Sequence, residues 1–181
     1  MSQVTALKQD LKVIAPIDKA GLEGLAAKGK ADPKKVVTLK NKTVCEARFR
    51  MLNYIRSLPA HVVDEPPYLL GDDTAPNPSE ATLAALGSCL AVGLHANAVA
   101  RGIELTRLEL DLEGDINVTA VWGCGDLDAS KRLGFTDIRV QCRLEGNATR
   151  EQLAELVDHA NVWSPVANTM RNPVNLTVAL G

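Results

Sequence analysis

A chain of 181 residues is the size of one domain, or of one domain with an appendage. Its 46% hydrophobic and 23% charged content is that of a soluble globular protein with a true core. With only 3% aromatic residues, Leu, Val and Ala must supply most of the packing. A net charge of −2 offers no general attraction to polyanions, which argues against nucleic acid or an acidic membrane surface as a partner. The first residues, "MSQVTALKQDLKV", have neither the apolar stretch nor the small-residue cleavage site of an export signal. Cys45, Cys89, Cys124 and Cys142 are widely spaced and form no C-x-x-C pair, so neither a zinc site nor a disulfide framework is expected. The expectation is a cytoplasmic protein with reduced thiols, no metal and no cofactor.

In chain order, the first thirty residues read as an amphipathic arm. "TALKQDLKVIAPI" is broken by Pro16, and "DKAGLEGLAAKGK" suits a short helix capped by Asp18. The charged turn "KADPKK" follows. The expected division is an N-terminal helical arm, residues 1–34, and an α+β domain, residues 35–181. Residues 36–63 are β-rich, with Cys45, Ala47, Phe49 and Met51 alternating against Glu46, Arg48 and Arg50 as along one strand. The double proline of "HVVDEPP" ends a strand, and "LLGDDTAPNP" is a loop by its Gly, Asp and Pro content.

Ala81 to Ala100 is a run of twenty residues without a charge. That is long enough to span a bilayer, but the run contains His95, Asn97, Ser88 and Thr82, and it is rich in Ala and Gly. It reads as a core helix and not as a membrane span. Asn77 suits the N-cap, Pro78 the first helical position, and Glu80 the third, from which a carboxylate reaches back to the cap. The end falls near Arg101, with Gly102 available for a left-handed cap. About 24 residues make a rod of roughly 36 Å. Apolar residues on nearly all its sides predict cover on nearly all sides, more than a domain this small supplies alone. A partner subunit is the natural source.

Leu108, Leu110 and Leu112 then alternate with charged residues, and Ile138, Val140, Cys142 and Leu144 do the same; both are sheet strands with one wet face. "VWGCGDLDASKRLG" between them is a flexible excursion. A second helix opens at Thr149 with Gln152 as its capping-box partner and turns Leu153, Leu156, Val157 and Ala160 inward. "SPVANTM" begins a further turn, and "VNLTVAL" reads as a closing strand. The whole is an α+β domain.

Among the thiols, Cys89 in mid-helix is the one of interest. It gains little there from the helix dipole, so a thiolate near neutral pH needs a cation from elsewhere, most naturally an arginine. His95, six residues on, points about 120° away and reads as a packing or interface residue. Cys142 and Cys45 read as inward strand positions, and Cys124, between two glycines in a loop, as accessible. No Ser–His–Asp pattern, phosphate loop or metal motif stands out.

The segment "DEPPYLLGDDTAPNPSEATLAALGSCLAVGL" closely resembles the OsmC/Ohr family, whose members carry a P-x-E-x-L-x-x-A-x-x-x-C-like stretch leading into a long central helix. The ending, "EQLAELVDHANVWSPVANTMRNPVNLTVAL", is similar to the family's last helix and strand around a Cys-Pro step. The likeness runs from Val36 to Leu180. It implies an OsmC-like fold with antiparallel sheets around a long central helix, and an intertwined homodimer with the two long helices in a shared core. In peroxide-reducing members a helix cysteine attacks an organic hydroperoxide, and a second cysteine at the Cys-Pro step captures the sulfenic acid before a dithiol reductant resets the pair. Cys89 matches the attacking position. The activating arginine comes from the early strands, where Arg48 and Arg50 both lie near the expected spacing.

Two positions depart from the peroxidatic pattern. Ser164 stands where the second cysteine is found; it keeps the cap before Pro165 but cannot form a disulfide. Ser79 stands where such relatives place a Glu ten residues before the cysteine, and Glu80, about 180° from Cys89 on a regular helix, suits capping better than catalysis. Two readings follow: a thiol peroxidase acting through Cys89 and resolved by Cys124 or an external thiol reductant, or a non-catalytic relative that binds a small hydrophobic molecule in the cleft between subunits.

Overall fold

The structure, a computed structural model, describes residues 13–181. The expected amphipathic start of the arm, up to Lys12, lies outside the described residues. The chain divides into two compact units, residues 28–86 and residues 13–27 with 87–181.

Helix α1, Lys19–Ala31, begins as expected at Asp18, whose carboxylate accepts from the amides of Ala20 and Gly21 at 3.1 and 3.0 Å. None of its residues is buried. Strands β1 (Lys42–Ala47), β2 (Arg50–Tyr54) and β3 (His61–Val63) form an antiparallel sheet in that order. The single strand expected through Cys45–Met51 is therefore two strands. The chain turns at Arg48, which takes the left-handed φ of 48°, and a bulge lies between Cys45 and Ala47. Alternation continues across so short a turn, which is why the pattern alone reads as one strand. Cys45 is consequently exposed and not inward-facing; its thiol donates to the Arg48 carbonyl at 3.5 Å.

After β3 the chain makes a 3₁₀ turn at Pro67–Leu69 and a loop that closes on Asp64, whose amide donates to the Pro76 carbonyl at 3.2 Å. Helix α2, Pro78–Ala100, opens with the expected reciprocal cap. The Glu80 amide donates to Asn77 Oδ1 and the Asn77 amide to Glu80 Oε2, both at 2.8 Å. The helix closes at Gly102, with φ 73°, and the Ile103 amide returns to the Ala98 carbonyl at 2.8 Å, which satisfies carbonyls that would otherwise be orphaned.

In the second unit, β4 (Leu105–Asn117) and β5 (Gly134–Gly146) form a long antiparallel hairpin. Leu108 lies opposite Leu144, Leu110 opposite Cys142, and Leu112 opposite Val140, so the two predicted alternations share one inner face. The wet face is laced by Arg107 with Glu109 and Glu145, Arg143 with Asp111, and Arg139 with Glu113 and Asp115. Helix α3, Arg150–Trp163, has the expected Thr149–Gln152 capping box. The core gathers Leu94 and Ala98 of α2, Leu105 of β4, and Leu156 and Ala160 of α3. Packing of α2 on β4 is tight: a Cβ at Gly87 would lie 2.9 Å from Leu112 Cδ1. The arm contributes here too, since the Ile14 amide donates to the Leu105 carbonyl at 2.8 Å.

Within one chain the cover of α2 is partial, and one expected strand is missing. In the single chain only Leu86, Leu90, Leu94 and Ala98 of α2, one i, i+4 stripe, are buried with Gly87, while Val92 is 70% exposed. By length and composition α2 passes for a membrane span, yet Leu94 and Ala98 of that stripe pack with Leu105 of β4 and with Leu156 and Ala160 of α3, as a core helix does. The closing strand is also absent as a ladder: residues 173–181 form no strand. Val174, Leu176, Val178 and Leu180 alternate along them at 63%, 83%, 87% and 103% exposure. An alternating apolar segment becomes a strand only when an edge pairs with it, and no such pairing exists among the described residues.

Candidate functional site

Helix α3 ends at Ser164 and helix α4, Pro165–Arg171, starts there. Proline at the first helical position and serine at the cap favour that start. Ser164 is buried, and its Oγ accepts from the Ala167 amide at 3.1 Å. Its carbonyl is fixed as well, by the Asn168 amide at 3.0 Å and by Asn168 Nδ2 at 2.9 Å. A hydroxyl has one proton and two lone pairs. With one lone pair spent on the cap, the proton of Ser164 goes to Cys89: Oγ donates to Sγ at 3.2 Å. Two residues 75 positions apart in the chain thus meet, the cysteine singled out in mid-helix and the serine of the Ser-Pro step. Cys89 itself is half-buried.

The remaining thiols sort by exposure. Cys142 is half-buried on the inner face of β5, and burial pushes its thiol up from the usual range, which slows its reactions near neutral pH. Cys124 is exposed, as expected, in a loop where Val121 and Trp122 take left-handed φ values of 41° and 54°.

Both candidate arginines are engaged within the unit of residues 28–86. Arg48, in the turn, pairs with Asp72 at 2.5 Å. Arg50, at the start of β2, pairs through Nε with Glu46 at 2.6 Å and donates through a terminal nitrogen to Thr74 Oγ1 at 2.6 Å. The Thr74 hydroxyl passes its own proton to Asp64 Oδ2 at 2.7 Å. Arg50 is therefore braced from two sides, whereas Arg48 has one exposed partner.

Asp64 and Thr74 were missed by sequence reasoning, although the acidic pair before the double proline was a visible signal. Asp64 is 1% and Glu65 8% exposed. Asp64 also accepts from the amides of Glu65 at 2.8 Å and Thr74 at 3.0 Å. The Thr74 hydroxyl, then the Thr74 amide, hold its carboxyl below the ordinary range. Its neighbour goes the other way. Burial, reinforced by the charges of Glu80 and Asp64, raises the Glu65 carboxyl, and Glu65 Oε2 has no hydrogen-bond partner among the described residues. Glu80 serves as a helix cap, as its angular position relative to Cys89 suggested.

Among the described residues no group of His, Cys, Asp and Glu is placed to hold a metal ion. What remains at Ser164 is a single sulfur receiving a hydrogen bond at a proline-initiated helix start.

A family model described as OsmC-like protein matches residues 71–179. The chain belongs to the OsmC-like protein family. Solved structures agree on the fold. An OsmC-like protein from Mycoplasma pneumoniae superposes with a TM-score of 0.63 at 16% identity, over 76% of this chain and 89% of that one. An organic hydroperoxide resistance protein OsmC from Legionella pneumophila gives 0.53 at 20% identity, over 76% and 92%. The organic hydroperoxide resistance protein OhrB of Bacillus subtilis gives 0.51 at 19% identity, over 76% and 93%. No curated protein matches the chain by sequence.

Proposed function

We propose that this protein is a thiol-dependent peroxidase that reduces organic hydroperoxides through Cys89, and that it works as a homodimer in the cytoplasm. The observation that carries the reading is the hydrogen bond from Ser164 Oγ to Cys89 Sγ, 3.2 Å long. A hydroxyl donor fixed on the Cys89 sulfur orients that sulfur for attack on a peroxide. Membership of the OsmC-like family and the names of the Legionella and Bacillus structures lend support.

In the proposed reaction the Cys89 thiolate attacks the distal oxygen of ROOH. An S–O bond forms as the O–O bond breaks, and the departing alkoxide takes a proton to become ROH. Cys89 becomes a sulfenic acid, oxidised by two electrons. Ser164 cannot resolve it. A first external thiol attacks the sulfur and releases water, and a second thiol then frees Cys89 by exchange; Cys124 is the chain's own exposed alternative for the first step. The guanidinium that holds the thiolate is assigned to Arg48 or Arg50, and Arg50 has the firmer bracing.

The test is to treat the reduced protein with cumene hydroperoxide in the presence of a dimedone-type probe and to map the label, with Cys89→Ser as control. Label on Cys89 that exceeds label on Cys45 and Cys142, and that falls when Arg48 and Arg50 are both replaced by Met, is the expected result. No label on Cys89 removes the reading and leaves the binding of a small hydrophobic molecule as the better account.

A further inference from the structure

The unit of residues 13–27 and 87–181 carries a partly open cavity of about 280 Å³. Its walls are Leu90 and Leu94 of α2, the inner face of β5 at Ile138, Val140 and Cys142, and Val157 and Ala160 of α3. Asn161 and Arg171, both exposed, complete the lining. The volume is near the lower end for small-molecule sites, and an apolar body with a few convergent polar groups is their usual composition.

The polar end is a fixed cation. Arg171 donates through one terminal nitrogen to the Asn161 carbonyl at 2.9 Å and through the other to Asn161 Oδ1. These bonds hold the guanidinium in place without neutralising it. Arg48, Arg50, Arg101, Arg107, Arg139 and Arg143 each have a carboxylate within ion-pair distance, whereas Arg171 has none among the described residues. A guanidinium has five N–H donors in a fork that fits one carboxylate. Among the described residues no second cation lines the cavity, which disfavours a doubly charged phosphate head.

We propose that this cavity binds an aliphatic monocarboxylate, with its alkyl chain between α2, β5 and α3 and its carboxylate on Arg171. The chain gains from burial against the apolar walls, and the head supplies the counter-charge that Arg171 lacks. The site uses neither the Cys89 sulfur nor the peroxidase reaction, so the two readings stand or fall separately.

Cys142 in the wall is a built-in reporter. The reduced full-length protein is alkylated with iodoacetamide at mildly alkaline pH, with and without octanoate, and the rate at each cysteine is read by peptide mapping. Octanoate is expected to slow alkylation of Cys142 several-fold and to leave the exposed Cys45 and Cys124 unchanged. Octanol, which lacks the charge, and acetate, which lacks the chain, are expected to protect far less. Arg171→Gln is expected to weaken protection about tenfold or more while the unprotected rate at Cys142 stays as in the wild type, and Arg171→Lys to retain part of it. Equal protection by octanol, undiminished protection in Arg171→Gln, or no effect of octanoate on Cys142 would each overturn the proposal.

Discussion

Ser164 donates its hydroxyl proton to the sulfur of Cys89 across 3.2 Å while capping α4 through the Ala167 amide. One side chain therefore holds a helix start and a thiol together, and replacing it separates the two roles.

Ser164→Cys is expected to form an 89–164 disulfide on addition of one equivalent of organic hydroperoxide. A disulfide is about 2.05 Å long, so the present separation needs about 1 Å of closure, which a side-chain rotation and a small local shift supply. Peptide mapping under non-reducing conditions detects the link. The wild type should show none, and its Cys89 should pass more readily to sulfinic acid under excess peroxide because nothing in position intercepts the sulfenic acid. A folded Ser164→Cys protein without the bridge, but with sulfenic acid trapped on Cys89, would show that position 164 is misaligned for exchange.

Ser164→Ala removes both the cap and the donor to sulfur. Loss of a serine cap costs about 1 kcal/mol, measurable as a lower urea midpoint. Alkylation of Cys89 at fixed neutral pH should slow in the same variant. Ser164→Thr, which keeps the hydroxyl, should recover most of both, whereas a purely structural role for Ser164 would leave the Cys89 rate unchanged in the alanine variant.

Asp64 and Glu65 are adjacent and shift in opposite directions, so they impose opposite pH dependences. The Asp64 carboxyl is held down by the Thr74 hydroxyl and amide. Its stabilisation is complete above the ordinary aspartate value of about 3.9 and is lost as pH falls through the lower folded value. Glu65 is raised by burial and by its acidic neighbours. Its folded form favours the proton, so its contribution is best below the ordinary glutamate value of about 4.3 and declines as pH rises through the higher folded value. Urea midpoints measured from about pH 3 to pH 8 should therefore fall less steeply on the acid side in Asp64→Asn. Glu65→Gln should exceed the wild type at neutral pH; a lower midpoint there would mean that the Glu65 carboxylate has a cationic partner after all.

The proposed homodimer predicts a sedimentation mass of twice the 19.4 kDa chain. The exposed alternation of Val174, Leu176, Val178 and Leu180 is assigned to pairing with the second copy. Leu176→Asp combined with Val178→Asp should shift the protein toward monomer at micromolar concentration. A wild type that sediments as a monomer would remove the dimer from the reading.

Local grammar was legible in the residues themselves. The Asn77–Glu80 and Thr149–Gln152 caps, Gly102 at the end of α2, and the alternations of β4 and β5 depend on neighbours within a few positions, and each is where its pattern placed it. Cys89 stood out for the same reason, as a thiol in the charge-free run Ala81–Ala100. Other features depend on groups far apart in the chain. Alternation could not reveal that Cys45 and Met51 face each other across a hairpin and do not follow each other along one strand. "VNLTVAL" carries the pattern of a strand, but a strand needs an edge, and whether one is available is a property of the assembled surface. The bracing of Arg50 by Thr74 spans 24 residues, and the bond from Ser164 to Cys89 spans 75. Only the packing of α3 against α2 brings that hydroxyl to that sulfur.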